Sequence, residues 1–106
     1  MAEKRMDAAY FHQCANAALS ALEDALEAKD SAGMLEVEAQ GGILTVAVAG
    51  RQFVLNKHEP TRQIWLASPV SGAARFVYHE PSGHWLHTVT GEELQAMVTK
   101  ETEQGL

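Results

Sequence analysis

Asn56-Lys57-His58-Glu59-Pro60-Thr61-Arg62-Gln63-Ile64-Trp65-Leu66-Ala67-Ser68-Pro69-Val70-Ser71-Gly72 is the stretch on which the reading of this chain turns. Apolar runs enter it at Phe53-Val54-Leu55 and leave it at Ile64-Trp65-Leu66, with Pro60 in the short polar turn between them. Pro69 and Gly72 close it. The pattern predicts a β-hairpin with Trp65 in the middle of its second strand. Strand side chains alternate, so Ile64 and Leu66 face one way and Gln63, Trp65 and Ala67 the other. Either the indole or the aliphatic pair must then lie off the main core.

The sequence on either side resolves that conflict. Upstream, Phe11, Ala15, Ala18, Leu22 and Leu26 recur at spacings of three and four, which predicts a helix over about 7–29 with Asp7 as N-cap. Ser31-Ala32-Gly33 should end it, with Gly33 left-handed. Leu35 and Val37 then alternate with Glu36 and Glu38, a strand with one acidic, wet face. Gln40-Gly41-Gly42 and Ala49-Gly50 read as turns bounding a strand at 43–48, and 51–56 as the next. Arg62 to Ala67 is the fourth strand, Ala74 to His79 the fifth, and His84 to His87 a short sixth. Thr90 with Glu93 three residues on has the form of a capping box opening a final helix, and Gly105 and Leu106 should fray. The connections are too short for parallel crossovers. The expected fold class is therefore α+β: a two-layer α/β sandwich, an antiparallel sheet of five to six strands with the N- and C-terminal helices packed on one face. The other face stays open, and Trp65 is expected to lie exposed on it, where large aromatics mark contact sites.

A chain of 106 residues suits one core, so residues 1–106 are read as a single domain. The absence of a long apolar run predicts no transmembrane helix. A lone cysteine, Cys14, fits a reducing compartment and reads as a small residue near the core rather than a nucleophile. The Met1 start without a transit-like arm favours bacterial cytoplasm over mitochondrial matrix. The formal charge is −6, and its distribution is uneven. Between Glu23 and Glu38 stand six acids and one base, leaving eight acids and seven bases elsewhere. Such a surface suits cations or basic protein patches and not nucleic acid, whose phosphates it cannot neutralise.

Asn56-Lys57, Pro60, Gln63-Ile64-Trp65-Leu66-Ala67-Ser68-Pro69 and Ser71-Gly72 resemble the signature of the frataxin family, in particular its bacterial CyaY-type branch. The acidic first helix and strand, the Gly-Gly turn before Leu44-Thr45-Val46, Trp85 after a polar turn and the final helix follow in the family's order. The resemblance implies the sandwich fold derived above. It also implies weak iron binding (Fe2+ or Fe3+), with no organic cofactor, and docking on a cysteine desulfurase and an iron–sulfur scaffold protein as iron donor or regulator of sulfur transfer. It implies a monomer, with iron-dependent oligomers as an alternative. Carried over by position, the metal residues would be Glu23, Asp24, Glu27, Asp30, Glu36, Glu38 and His12. The partner-binding residues would be Asn56, Gln63, Trp65 and Arg75. Ala28, Ala32 and Met34 stand where some relatives have further acids, His58 where glutamine is frequent, and the closing helix lacks a double leucine.

The residues themselves agree with a loose cation surface. Glu23 and Glu27 are i,i+4 neighbours whose repulsion costs a helix roughly 0.2–0.5 kcal/mol, which a cation or basic patch would relieve. Spread carboxylates offer hydrated oxygen ligands and not a closed cage. No Cys-x-x-Cys or His-Glu-x-x-His spacing supports a zinc centre, and His84 and His87 point to opposite strand faces. Ser68 and Ser71 have no partnered base, so hydrolysis is not indicated. Two other readings stand beside the carrier. One is a ferroxidase, ranked lower because no Glu-x-x-His di-iron pattern occurs. The other is an interaction module with no metal role.

Overall fold

A computed structural model describes residues 6–30 and 33–104. Ser31 and Ala32 at the expected helix end, and Gly105 and Leu106 at the chain end, lie outside the described residues. Helix α1 spans Ala8–Lys29, followed by strands β1 Leu35–Gln40, β2 Ile43–Val48, β3 Arg51–His58, β4 Gln63–Ser68, β5 Gly72–His79 and β6 His84–His87, then helix α2 Leu94–Gln104. The strands form one antiparallel meander in chain order, β1 to β6. Both helices cover one face.

The buried side of the sheet is read off the alternation. Leu44, Val46 and Val48 of β2, Phe53 and Leu55 of β3, Ile64 and Leu66 of β4, and Ala74 and Phe76 of β5 are buried beneath the helices. They meet Phe11, Ala15, Leu19, Leu22 and Leu26 of α1 and Leu94, Met97 and Val98 of α2. Burying each large apolar side chain contributes about 1.5–3 kcal/mol. Leu19, not Ala18, sits on the main stripe; Ala18 is partly buried at its edge. Asp7 caps α1 as expected, its carboxylate accepting from Tyr10 N–H at 2.8 Å. Gly33 has a φ of +67°, the left-handed value expected of it.

The central hairpin differs in detail. β3 runs two residues past Asn56, because Pro60 sits inside a single 3-10 turn, Glu59–Thr61, and not in a wider loop. Arg62 closes that turn in the left-handed region (φ 56°), so β4 begins one residue later, at Gln63. Its guanidinium donates to the carbonyls of Met6, at 3.1 Å, and Glu59. β5 likewise starts early, at Gly72.

The capping box at Thr90 did not form as expected. Gly91 turns with φ +76°, and Glu93 makes an antiparallel bridge to Leu86, so the chain is still extended there. The helix starts at Leu94, and Glu93 supplies the cap: its carboxylate accepts from Gln95 N–H at 2.9 Å and Ala96 N–H at 3.0 Å.

Candidate functional site

On the uncovered face, Asn56 pairs with Trp65 and Trp65 with Arg75 across β3, β4 and β5. Gln63 lies two positions along β4, and its side-chain oxygen accepts from the Trp65 indole N–H at 2.8 Å. The four residues thus form one patch. Trp65 is not exposed as expected but half-buried. His58, from β3, lies flat on the indole, ring centroids 3.7 Å apart and planes 11° from parallel. The Arg75 guanidinium, from β5, sits 4.7 Å from the ring centroid. Beside the stack is a shallow depression of about 360 Å³ floored by Val54, Ala67 and Ala73, register neighbours on three strands. The patch therefore offers a fixed aromatic edge, a cation and an apolar dent.

The acidic residues are spread over two surfaces. Alternation puts Glu36 and Glu38 on the open face of edge strand β1, opposite Ala47 and Thr45. Asp24 and Glu27 are exposed on α1, and Glu23 lines a cleft of about 250 Å³ against the Gly41-Gly42 turn. Asp30 caps α1, and its two carboxylate oxygens accept from Met34 N–H at 2.7 Å and Leu35 N–H at 2.9 Å. It fastens α1 to β1 and offers less to a cation than its neighbours. Among the described residues no three acids, histidines or cysteines converge to hold one ion.

His12 stands apart from these acids, near the end of β3. Its Nε2 is 2.5 Å from a Glu59 oxygen, and its Nδ1 is 3.2 Å from the Lys57 ammonium. Lys57 also donates to Asn16 at 2.7 Å. The ammonium donates to Nδ1, which leaves Nε2 as the donor to the carboxylate. That hydrogen bond holds the Glu59 carboxyl below its usual value. A cation at His12 would have to displace Lys57.

The sequence reading passed over a repeat. His58-Glu59-Pro60-Thr61 recurs as His79-Glu80-Pro81-Ser82. In both turns the histidine Nδ1 is 2.7 Å from the hydroxyl three residues on. In both, that hydroxyl also donates to the histidine's own carbonyl, at 3.4 and 3.3 Å. The tetrapeptide was a visible signal for two histidines held in one way at two strand ends. Cys14 and Trp85 line a groove of about 490 Å³ between α1, β6 and the start of α2. Trp85 is core, and its indole N–H has no partner among the described residues.

The fold is that of a small acidic sandwich protein of the frataxin type. Residues 4–106 match the family described as Frataxin-like domain. The iron–sulfur cluster assembly protein CyaY of Pseudomonas aeruginosa is 40% identical over 102 residues, covering 94% of this chain and 92% of that one. Trimeric frataxin from the yeast Saccharomyces cerevisiae, complexed with ferrous, superimposes with a TM-score of 0.76 at 33% identity, over 98% of this chain and 89% of the other. The frataxin of Psychromonas ingrahamii has the same fold, with a TM-score of 0.75 at 23% identity over 92% of this chain and 93% of the other. This chain belongs to the frataxin family. No helix among its described residues is long and apolar enough to cross a membrane.

Proposed function

We propose that this protein is a weak iron carrier of iron–sulfur cluster assembly in the bacterial cytoplasm. It docks on a cysteine desulfurase and its scaffold protein and acts there as iron donor, as regulator of sulfur transfer, or as both. The observation that carries the reading is the separation of charge from the aromatic patch. The six acids from Glu23 to Glu38 all lie on α1, its C-cap and β1, whereas strands β3 to β6 contain no Asp or Glu at all. One edge suits hydrated iron or a basic protein surface. The other, with Trp65 held between neighbours, suits a second protein contact. The Pseudomonas relative's name and the yeast protein's ferrous complex support iron as the cargo.

The experiment is the desulfurase rate with and without this protein over a range of iron concentrations. A donor or regulator changes that rate, and iron modulates the change. NMR titration with Fe2+ should shift residues between 12 and 38; shifts clustered elsewhere would remove the acidic edge from the reading. Desulfurase binding that survives Glu23→Lys with Glu27→Lys would remove it as a docking surface.

A further inference from the structure

We propose that His79 and His84 form a second, separate metal site, selective for borderline divalent transition ions such as Zn2+, Cu2+ or Ni2+. The two are direct cross-strand partners on β5 and β6. Directly opposed residues have Cβ atoms about 4.5–5.5 Å apart and share a face. The adjacent pair, Tyr78 and Trp85, faces the helices, so His79 and His84 face the open side. Both are exposed. Two imidazoles at that separation can both reach an ion at about 2.0–2.1 Å.

The turn prepares one of them. Ser82 Oγ contacts His79 Nδ1 at 2.7 Å and the His79 carbonyl at 3.3 Å. The hydroxyl has a single proton. Giving it to the carbonyl makes Nδ1–H the donor to Oγ and satisfies both contacts. The His79 Nε2 then carries the free lone pair, the arrangement by which a second hydrogen bond orients a metal-ligating histidine. Ser82 Oγ also accepts from the His84 backbone N–H at 3.3 Å, tying both histidines to one hydroxyl. Because β6 is an edge strand, His84 also borders the groove beside α1, and the ion would select the rotamer that faces His79. His58 has the same hydroxyl clamp, but its ring is stacked on Trp65 and its cross-strand partner is Gln63. That makes it an internal control.

Imidazole ligands favour zinc, copper and nickel, whereas carboxylates and water favour harder ions. The pair therefore differs chemically from the acidic edge and does not depend on the iron reading. With two protein ligands, the remaining positions belong to water or to a group from another molecule. The probe is Zn2+ itself, titrated into the full chain while histidine ring signals are followed by NMR. The ring signals of His79 and His84 should move together and saturate at one equivalent, with those of His58 unmoved. His79→Asn and His84→Asn should each weaken Zn2+ binding about tenfold or more, and Ser82→Ala by about tenfold. Glu23→Lys with Glu27→Lys should leave it unchanged. Unchanged melting curves would show that the exposed variants fold. Zn2+ affinity within about twofold of the parent in either histidine variant would overturn the proposal, as would saturation without movement of both rings.

Discussion

Trp65 enters any encounter with its rotamer already chosen. His58 covers the ring, Arg75 approaches it and Gln63 holds the indole N–H. An anchor fixed before contact loses little side-chain entropy on binding. Trp65→Ala should weaken desulfurase or scaffold binding by about 2 kcal/mol or more, as central aromatic anchors do. His58→Ala should cost less, because it removes only the stack, worth about 0.5–1.5 kcal/mol or up to about tenfold in Kd. Titration calorimetry on both variants checks the order, and equal losses would contradict a purely positioning role for His58. Glu59 gives a second test. Its carboxyl is held below the ordinary value of 4.5 by the His12 hydrogen bond. A depressed carboxyl stabilises the fold above its unfolded value, and that stabilisation disappears as pH falls through the folded one. The difference in Tm between parent and Glu59→Gln should therefore shrink as pH drops from about 6 to about 3. The side that Trp65 faces was legible in the alternation of Gln63, Trp65 and Ala67. Its cover was not, since the position of His58 depends on a 3-10 turn that Pro60 alone does not specify.

The closing helix shows what one element needs to stay attached. α2 is only 11 residues long, below the length at which a helix is stable alone. Leu94, Met97 and Val98 give it a short apolar face, with no double leucine. A polar anchor takes its place. Glu101 is buried at 5% exposure and accepts from Ser68 Oγ at 2.6 Å and Ser71 Oγ at 3.1 Å. Ser68 Oγ in turn accepts from the backbone N–H groups of Val70 and Ser71 at 3.0 and 3.1 Å. The motif's two serines therefore fasten the β4–β5 turn to α2. Hydrogen bonds to a charged group contribute about 1.5–3 kcal/mol, so Glu101→Ala should cost about 2 kcal/mol or more. Urea unfolding measures this, with Ser71→Ala expected to cost less because Ser68 keeps its bond. The helix was legible, but its start was not. Thr90 and Glu93 have the capping-box spacing, yet Glu93 bridges Leu86 and the helix starts at Leu94, three residues later than that box would start it. A tertiary bridge overrode a local signal. For α1 the local signal prevailed, since its apolar stripe and its Asp7 cap point to the same answer.

For the whole molecule, the sandwich was legible because the strand periods, short connections and two amphipathic helices agree. The relation between the acidic segment and the hairpin patch was not, because it depends on how far apart the sheet sets them. Glu36 and Glu38 lie on edge strand β1, with β2 and β3 between them and Trp65 on β4. Neighbouring strands are about 4.7–4.9 Å apart and the register sets Trp65 level with Gln40, so Glu36 and Glu38 lie more than about 14 Å from Trp65, beyond a Debye length at physiological salt. Two contacts that far apart, on one partner, should act independently. Their energies should add within about 0.3–0.5 kcal/mol when Glu36→Lys with Glu38→Lys is combined with Trp65→Ala. Their physics also differs. The acidic contact is exposed and electrostatic, so its loss should be large at low ionic strength and fade at high salt. The Trp65 contact is apolar and cationic over a small area, so its loss should persist as salt is raised. Partner Kd values for the three variants at about 0.05 M and about 0.5 M salt would separate the two. Additive losses with opposite salt behaviour mean that acidic edge and aromatic patch grip the partner separately. A charge reversal that is indifferent to salt, or a Trp65 effect that vanishes once the acids are reversed, would mean instead that the partner covers only one of the two surfaces.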